Sequence, residues 1–174
     1  MGGQIIGRVK NLEKDQNKLE EERKEAHIKL EDRMVGLEKT THTLTRAMKS
    51  ALRDLAASFV KEMLKLNGVP EEKIKVLTNV NIIHNGMIRE IDIFNSDPVV
   101  VGQVIIYISS IEEAKNELNK LLEDVNFVEK MTGRKVFMAI LAVRNASEEV
   151  AKFLETECKK LNVKLIMGRL ISKY

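Results

Sequence analysis

From Gln4 to Leu66 the chain contains no proline, and the only glycines inside that run are Gly7 and Gly36. A charge-dense span of this length without a breaker has one economical solution, a long helix or two stacked helices. In its first half Ile5, Val9, Leu12, Leu19, Ala26, Leu30 and Leu37 follow alternating steps of three, four and seven, which makes the a/d seam of a coiled coil. Gln16, Arg23 and Arg33 fill the remaining seam positions with polar groups, so pairing is weak or selective. A helix with so narrow an apolar stripe cannot bury it alone. The expected partner is a second copy of the chain, as a homodimer or higher homo-oligomer.

Beyond Thr40 the stripe widens to Leu44, Met48, Ala51, Leu52, Leu55, Phe59, Met63 and Leu66, the pattern of a helix packed on a globular body. "LNGVP", Leu66 to Pro70, stops it, because Asn67 and Gly68 suit a C-terminal cap and Pro70 cannot continue the helix. This divides the chain into a coiled-coil helix, residues 1–46, and an α/β domain, residues 47–174.

The α/β part opens with a strand meander. Ile74 to Ile83 and Met87 to Phe94 read as two strands joined by His84-Asn85-Gly86, a tight hairpin whose Asn-Gly pair favours positive φ. After "NSDP", the run "VVVGQVIIYI" has the length and β-branching of a central strand buried on both faces. Ser110 heads a helix with Ile111, Ala114, Leu118, Leu121, Leu122, Val125 and Val128 on one face, and "KVFMAILAV" is a further strand. Ser147 caps a last helix with Val150, Ala151, Leu154, Cys158 and Leu161 inward, before a strand at "VKLIMG". The order α, β, β, β, α, β, α, β implies a mixed sheet with helices on both faces.

Composition removes several function classes. No apolar run approaches the roughly 20 residues of a membrane helix, and the N-terminus lacks a signal-peptide apolar region, so a cytoplasmic protein without a membrane partner is expected. The single cysteine, Cys158, excludes a disulfide framework or a cysteine metal cluster. Glycine loops of the phosphate-cradling type, His-rich metal spacing and a serine nucleophile elbow are absent from the sequence. Residues 1–66 hold 14 Lys and Arg against 11 Asp and Glu, whereas residues 67–174 hold 15 of each. Within the basic half, Arg46, Lys49 and Arg53 are spaced to share a helix face and are candidate contacts to DNA phosphates, competing with a plain solvated face.

The chemistry-bearing stretch is "REIDIF", with Glu90 and Asp92 on one face of a strand, followed by "GQVI" in the next. If the hairpin register brings these faces together, Asp92 and Gln103 form a polar island in apolar sheet, which costs energy unless the groups are paired. The element order and this motif together resemble the PD-(D/E)XK nuclease superfamily, the restriction-endonuclease-like fold, over about Ala47 to Gly168.

The resemblance implies a helix acid at Glu62, a strand acid at Asp92, and a (D/E)-x-K tripeptide at Gln103-Val104-Ile105. In such enzymes strand acids hold Mg²⁺ or Mn²⁺, the middle residue's carbonyl adds a ligand, and the lysine orients the attacking water. The implied metal ligands are therefore Asp92, Gln103 and the Val104 carbonyl. Two departures weigh against catalysis: Gln103 offers a neutral amide where an anion is needed, and Ile105 cannot orient water. Compensation would have to come from Glu90 for the charge or from Lys115 for the amine. Three readings stand: a catalytically degenerate nuclease-fold protein acting as a DNA-binding or regulatory dimer, a coiled-coil scaffold, and a Mg²⁺- or Mn²⁺-dependent endonuclease with a compensated site.

Overall fold

The computed structural model describes residues 2–171, and it divides into two compact units, Met1–Leu44 and Thr45–Tyr174. The first helix, α1 (Gly2–Leu66), contains the boundary. In the first unit every described residue is exposed, including the seam residues Ile5, Val9, Leu12, Leu19, Leu30 and Leu37.

The second unit is a five-stranded mixed sheet in the order β1-β2-β3-β4-β5. Its strands are β1 (Leu77–His84), β2 (Met87–Ser96), β3 (Val99–Ile108), β4 (Met138–Ser147) and β5 (Val163–Ile171). β1 to β3 form the antiparallel meander, and β3 to β5 run parallel through the crossover helices α2 (Ile111–Thr132) and α3 (Glu148–Lys160). Asn85 and Gly86 take φ of 50° and 76°, the positive pair a tight hairpin turn requires.

Helix ends follow their local chemistry. Gly68 at φ 79° closes α1, its N–H donating to the Lys65 carbonyl at 3.0 Å while the Val69 N–H donates to Leu64 at 3.0 Å, the paired bonds of a left-handed C-cap. Ser110 accepts from the Glu113 N–H at 3.1 Å, and the Glu113 carboxylate reaches back to the Ser109 N–H and hydroxyl. Those bonds hold the Glu113 carboxyl below its usual range, the Ser109 hydroxyl contributing most.

The sheet separates two apolar layers. On one side α2 and α3 pack Leu118, Leu121, Val150 and Leu154 against Ile91, Val99, Val101, Leu141 and Val143. On the other, Ala56, Val60 and Leu64 of α1 meet Ile93, Val100, Val104, Ile140 and Ala142. Helices therefore cover both faces, as the element order implies.

Three expectations need correction. The α1 stripe facing the sheet is Leu52, Ala56, Val60 and Leu64, while Leu55, Phe59 and Leu66 are exposed. Leu52 and Met63 flank the buried line, so the inner face mixes small and large side chains and is set by which line of α1 meets the sheet. Leu161, expected inward, caps the end of α3 and is exposed. The first strand begins at Leu77 rather than Ile74, because a 3₁₀ turn at Glu71–Lys73 leads into backbone claimed by Asn95. The Asn95 side chain is fully buried: its Oδ1 accepts from the Lys75 N–H at 2.8 Å, and its Nδ2 donates to the carbonyls of Pro98 at 2.8 Å and Lys73 at 3.3 Å.

Cys158 sits among the α3 core residues, where burial above all, with Glu157 beside it, pushes its thiol up to about 11. At pH 8 only about one native thiol in a thousand is ionised, and the sulfur is shielded as well. Labelling by a disulfide reagent is therefore expected to follow unfolding, with denaturant accelerating it; immediate stoichiometric reaction of the native protein would contradict this placement.

Candidate functional site

β2 and β3 pair only from Ser96–Val99 to Ile93–Gly102. Beyond Ile93 the first part of β2 stays with β1 and the last part of β3 stays with β4, so the two strands splay apart. Gly102 belongs at the crotch, because a Cβ there would come within 3.0 Å of the Ile93 Cβ. Asp92 is the first β2 residue past the last pair. Alternation also breaks here: Ile91 packs toward α2 and α3 while Ile93, two residues on, packs toward α1. Across from Asp92 on β1, Asn79 adopts φ 52°.

The Asp92 carboxylate fills the opening of the splay. Its Oδ2 accepts from the Val104 backbone N–H at 2.8 Å, substituting for a ladder bond that the diverging strands cannot make. Its Oδ1 accepts from Arg53 Nε at 2.9 Å, with Lys49 Nζ at 3.8 Å. Arg53 also lies 3.7 Å from Glu90 through Nη2. The side chains of Arg53 and Asp92 are 14% and 9% exposed. A carboxylate withdrawn from water this far persists only with a charge partner and hydrogen bonds, and α1 supplies the partner.

Gln103 lies on the adjacent strand, as expected, but its side chain turns to the opposite face. Its amide donates to the Glu117 carboxylate of α2, Glu117 in turn lies 3.4 Å from Lys120, and the Gln103 carbonyl oxygen is buried without a partner among the described residues. Ile105 packs into the layer under α2 and α3. Asp92 and Gln103 thus line one cleft of about 290 Å³, with Lys49 on one side and Lys120 and Asp124 on the other, yet they bond to different helices. Below it Arg89 donates to Asp124 at 2.9 Å and lies 3.4 Å from Glu123. Burial pushes the Asp124 carboxyl up, against the lowering pull of Arg89.

The other expected site residues are dispersed. Glu62 is exposed and pairs with Lys65 at 3.5 Å, more than two helical turns beyond the α1 residues that touch Asp92. Lys115 stands over the Phe153 ring at 5.8 Å, held by α3 rather than by the cleft. Of the three basic residues read as phosphate contacts, Lys49 and Arg53 face Asp92, and Arg46 is exposed. Glu90 alone joins Asp92 as foreseen, through their shared partner Arg53. What the residue pattern concealed was the role of Arg53: it falls on the line of Ala56, Val60 and Leu64, and a cation on a buried stripe signals an internal acid.

The arrangement does not fit a divalent ion. Hard cations need several anionic oxygens with free lone pairs. Here Asp92 already serves a peptide N–H and two cations, Gln103 is turned away, and no group of three or more His, Cys, Asp or Glu able to hold a metal occurs among the described residues. Nor is any described helix long and apolar enough to cross a membrane. Comparison of the chain with protein-family models, with curated proteins and with solved structures finds no match.

Proposed function

We propose that this chain is an assembly protein: a coiled-coil helix joins copies of a restriction-endonuclease-like α/β module that performs no hydrolysis. One observation carries the assembly: the seam residues of the first unit are all exposed, Leu12 by 68% and Leu19 by 65%, and no described residue of that unit covers them. Water-exposed leucines at coiled-coil spacing gain most by burial against another such helix. The Arg53–Asp92 pair supports the non-hydrolytic part, because it uses the one strand acid that a metal-dependent nuclease would need free.

Replacing Leu12, Leu19 and Leu30 together by serine tests the reading. Sedimentation equilibrium is expected to show the parent chain as an oligomer and the variant as a monomer, with the sheet still folded by near-UV circular dichroism. A parent chain that sediments as a monomer at micromolar concentration would overturn the proposal. A parallel assay with Mg²⁺ and Mn²⁺ on single-stranded, duplex and branched DNA is expected to show no cleavage. Cleavage abolished by Asp92→Ala would establish the compensated enzyme instead, and salt-dependent binding without cleavage would establish the DNA-binding reading.

A further inference from the structure

From the pattern of charged seam residues we infer that the first unit pairs with a second copy in antiparallel orientation, in the register that sets Leu19 against Leu30. This deepens the assembly reading and rests on it. The steps from Ile5 to Leu37 place Val9, Gln16, Arg23, Leu30, Leu37 and Leu44 at a positions, and Ile5, Leu12, Leu19, Ala26, Arg33 and Thr40 at d positions. A seam carrying two arginines cannot be indifferent to how it is aligned.

In a parallel, in-register pair each layer is formed by one residue and its own copy. Arg23 then faces Arg23 and Arg33 faces Arg33, two like-charge contacts in the interface core. Of the flanking pairs, Asp15 with Glu20 of the other copy is repulsive and Arg8 with Glu13 attractive, so the flanks do not offset the arginine layers. In an antiparallel pair, a positions meet d positions, and alignment becomes selective. With Leu19 opposite Leu30, the apolar layers are Leu19–Leu30, Leu12–Leu37 and Ile5–Leu44. The remaining layers are Arg23–Ala26, Arg33–Gln16 and Val9–Thr40. Every layer joining two large apolar residues is free of charge, and each arginine meets a small or polar neighbour. The two Arg23 side chains fall in adjacent layers about 4.5 Å apart along the axis instead of in one layer, and their long stems can reach water on opposite sides of the seam.

Sliding by one heptad in either direction loses this segregation. One slide puts Arg23 against Leu19 and Arg33 against Val9, and the other puts Arg23 against Arg33. The chosen register also sets Glu22 beside Lys29 of the second copy, an attraction formed twice by symmetry. All of these residues are exposed in the single chain, so nothing within the first unit competes for them.

Cysteine cross-linking reads both orientation and register. Leu12→Cys and Leu37→Cys are made in separate, differently tagged chains, co-expressed or kept apart, then oxidised. In the inferred pair, position 12 lies about 37 Å along the helix from its own copy but opposite position 37. Disulfide-linked dimer is therefore expected to exceed either variant alone by roughly tenfold in the co-expressed sample, since Cα atoms more than about 7 Å apart cannot be bridged. The flanking pair Glu22→Cys and Lys29→Cys, which removes no apolar residue, should repeat the pattern if loss of leucine weakens association. Buried Cys158 stays out of the reaction.

Self-linking of each variant alone would show a parallel pair, and linking of Leu12→Cys to Leu30→Cys would show another register; either overturns the inference while leaving assembly intact. An oligomer in which none of these pairs links places the interface elsewhere and also overturns it. A monomer by sedimentation sinks the assembly reading itself.

Discussion

Replacing Arg53 by alanine is expected to cost the second unit about 3–5 kcal/mol, the range for removing one partner of a buried ion pair. Most of that loss comes from the group left behind. Asp92 would keep the Val104 N–H but lose its close cation, in a place where water reaches only 9% of its side chain. Lys49, at 3.8 Å and more exposed, offers partial compensation. Adding Asp92→Asn should therefore recover part of the loss, because a neutral amide can still accept from Val104 without needing a charge beside it. Urea denaturation of the parent, the single and the double variant measures this directly. A cost below about 1 kcal/mol for Arg53→Ala, the value of an ordinary surface pair, would show that the pair does not hold α1 to the splay.

Asn95→Ala is the second large effect, with an expected loss of about 3 kcal/mol, since each buried partner left unsatisfied costs roughly 1–3 kcal/mol and some regain water. The side chain bonds the Lys73–Lys75 backbone and the Pro98 carbonyl to β2. Aspartate is no substitute, because it retains the acceptor for Lys75 but presents negative charge to two carbonyl oxygens. Asn95→Asp should thus be at least as damaging as alanine at neutral pH, and limited proteolysis should open first between Pro70 and Val76. If the aspartate variant matches the parent in denaturant midpoint, the two donated bonds are not what secures this segment.

The elements were legible where local chemistry acts alone. Asn85-Gly86 forces a turn, Ser110 and Ser147 cap helices, and "VVVGQVIIYI" has too many β-branched residues in a row for anything but an interior strand. Legibility failed where a side chain answers to something distant in sequence. The inner face of α1 was misplaced because Leu55, Phe59 and Leu66 make a line as apolar as the buried one of Ala56, Val60 and Leu64, and only the sheet chooses between them. The start of β1 was misplaced because Asn95, 20 residues away from Lys75, takes the backbone that would otherwise extend the strand.

The site shows the same division. Asp92 was visible as an acid in a strand, but strict alternation assigned Gln103 to it, and alternation fails where β2 and β3 part. Glu117 and Asp124 fall beside Leu118, Leu121 and Val125 along α2, so a carboxylate bordering an apolar stripe was the available sign that Gln103 and Arg89 had partners there.

The Arg53–Asp92 contact also bears on what substitutions at the cleft could achieve. A guanidinium tethered to α1 is a cation that cannot diffuse away, and it gives the strand acid an attraction that an ion from solution would have to outcompete. Placing an anion at position 103 and a lysine at position 105 would therefore not suffice to recruit a metal while Arg53 remains. Yet losing Arg53 first would weaken the fold before any ion could replace it. The contact thus ties the stability of the sheet to the closing of this cleft against cations, so that opening the carboxylate to an ion and keeping α1 in place are competing demands on the same pair.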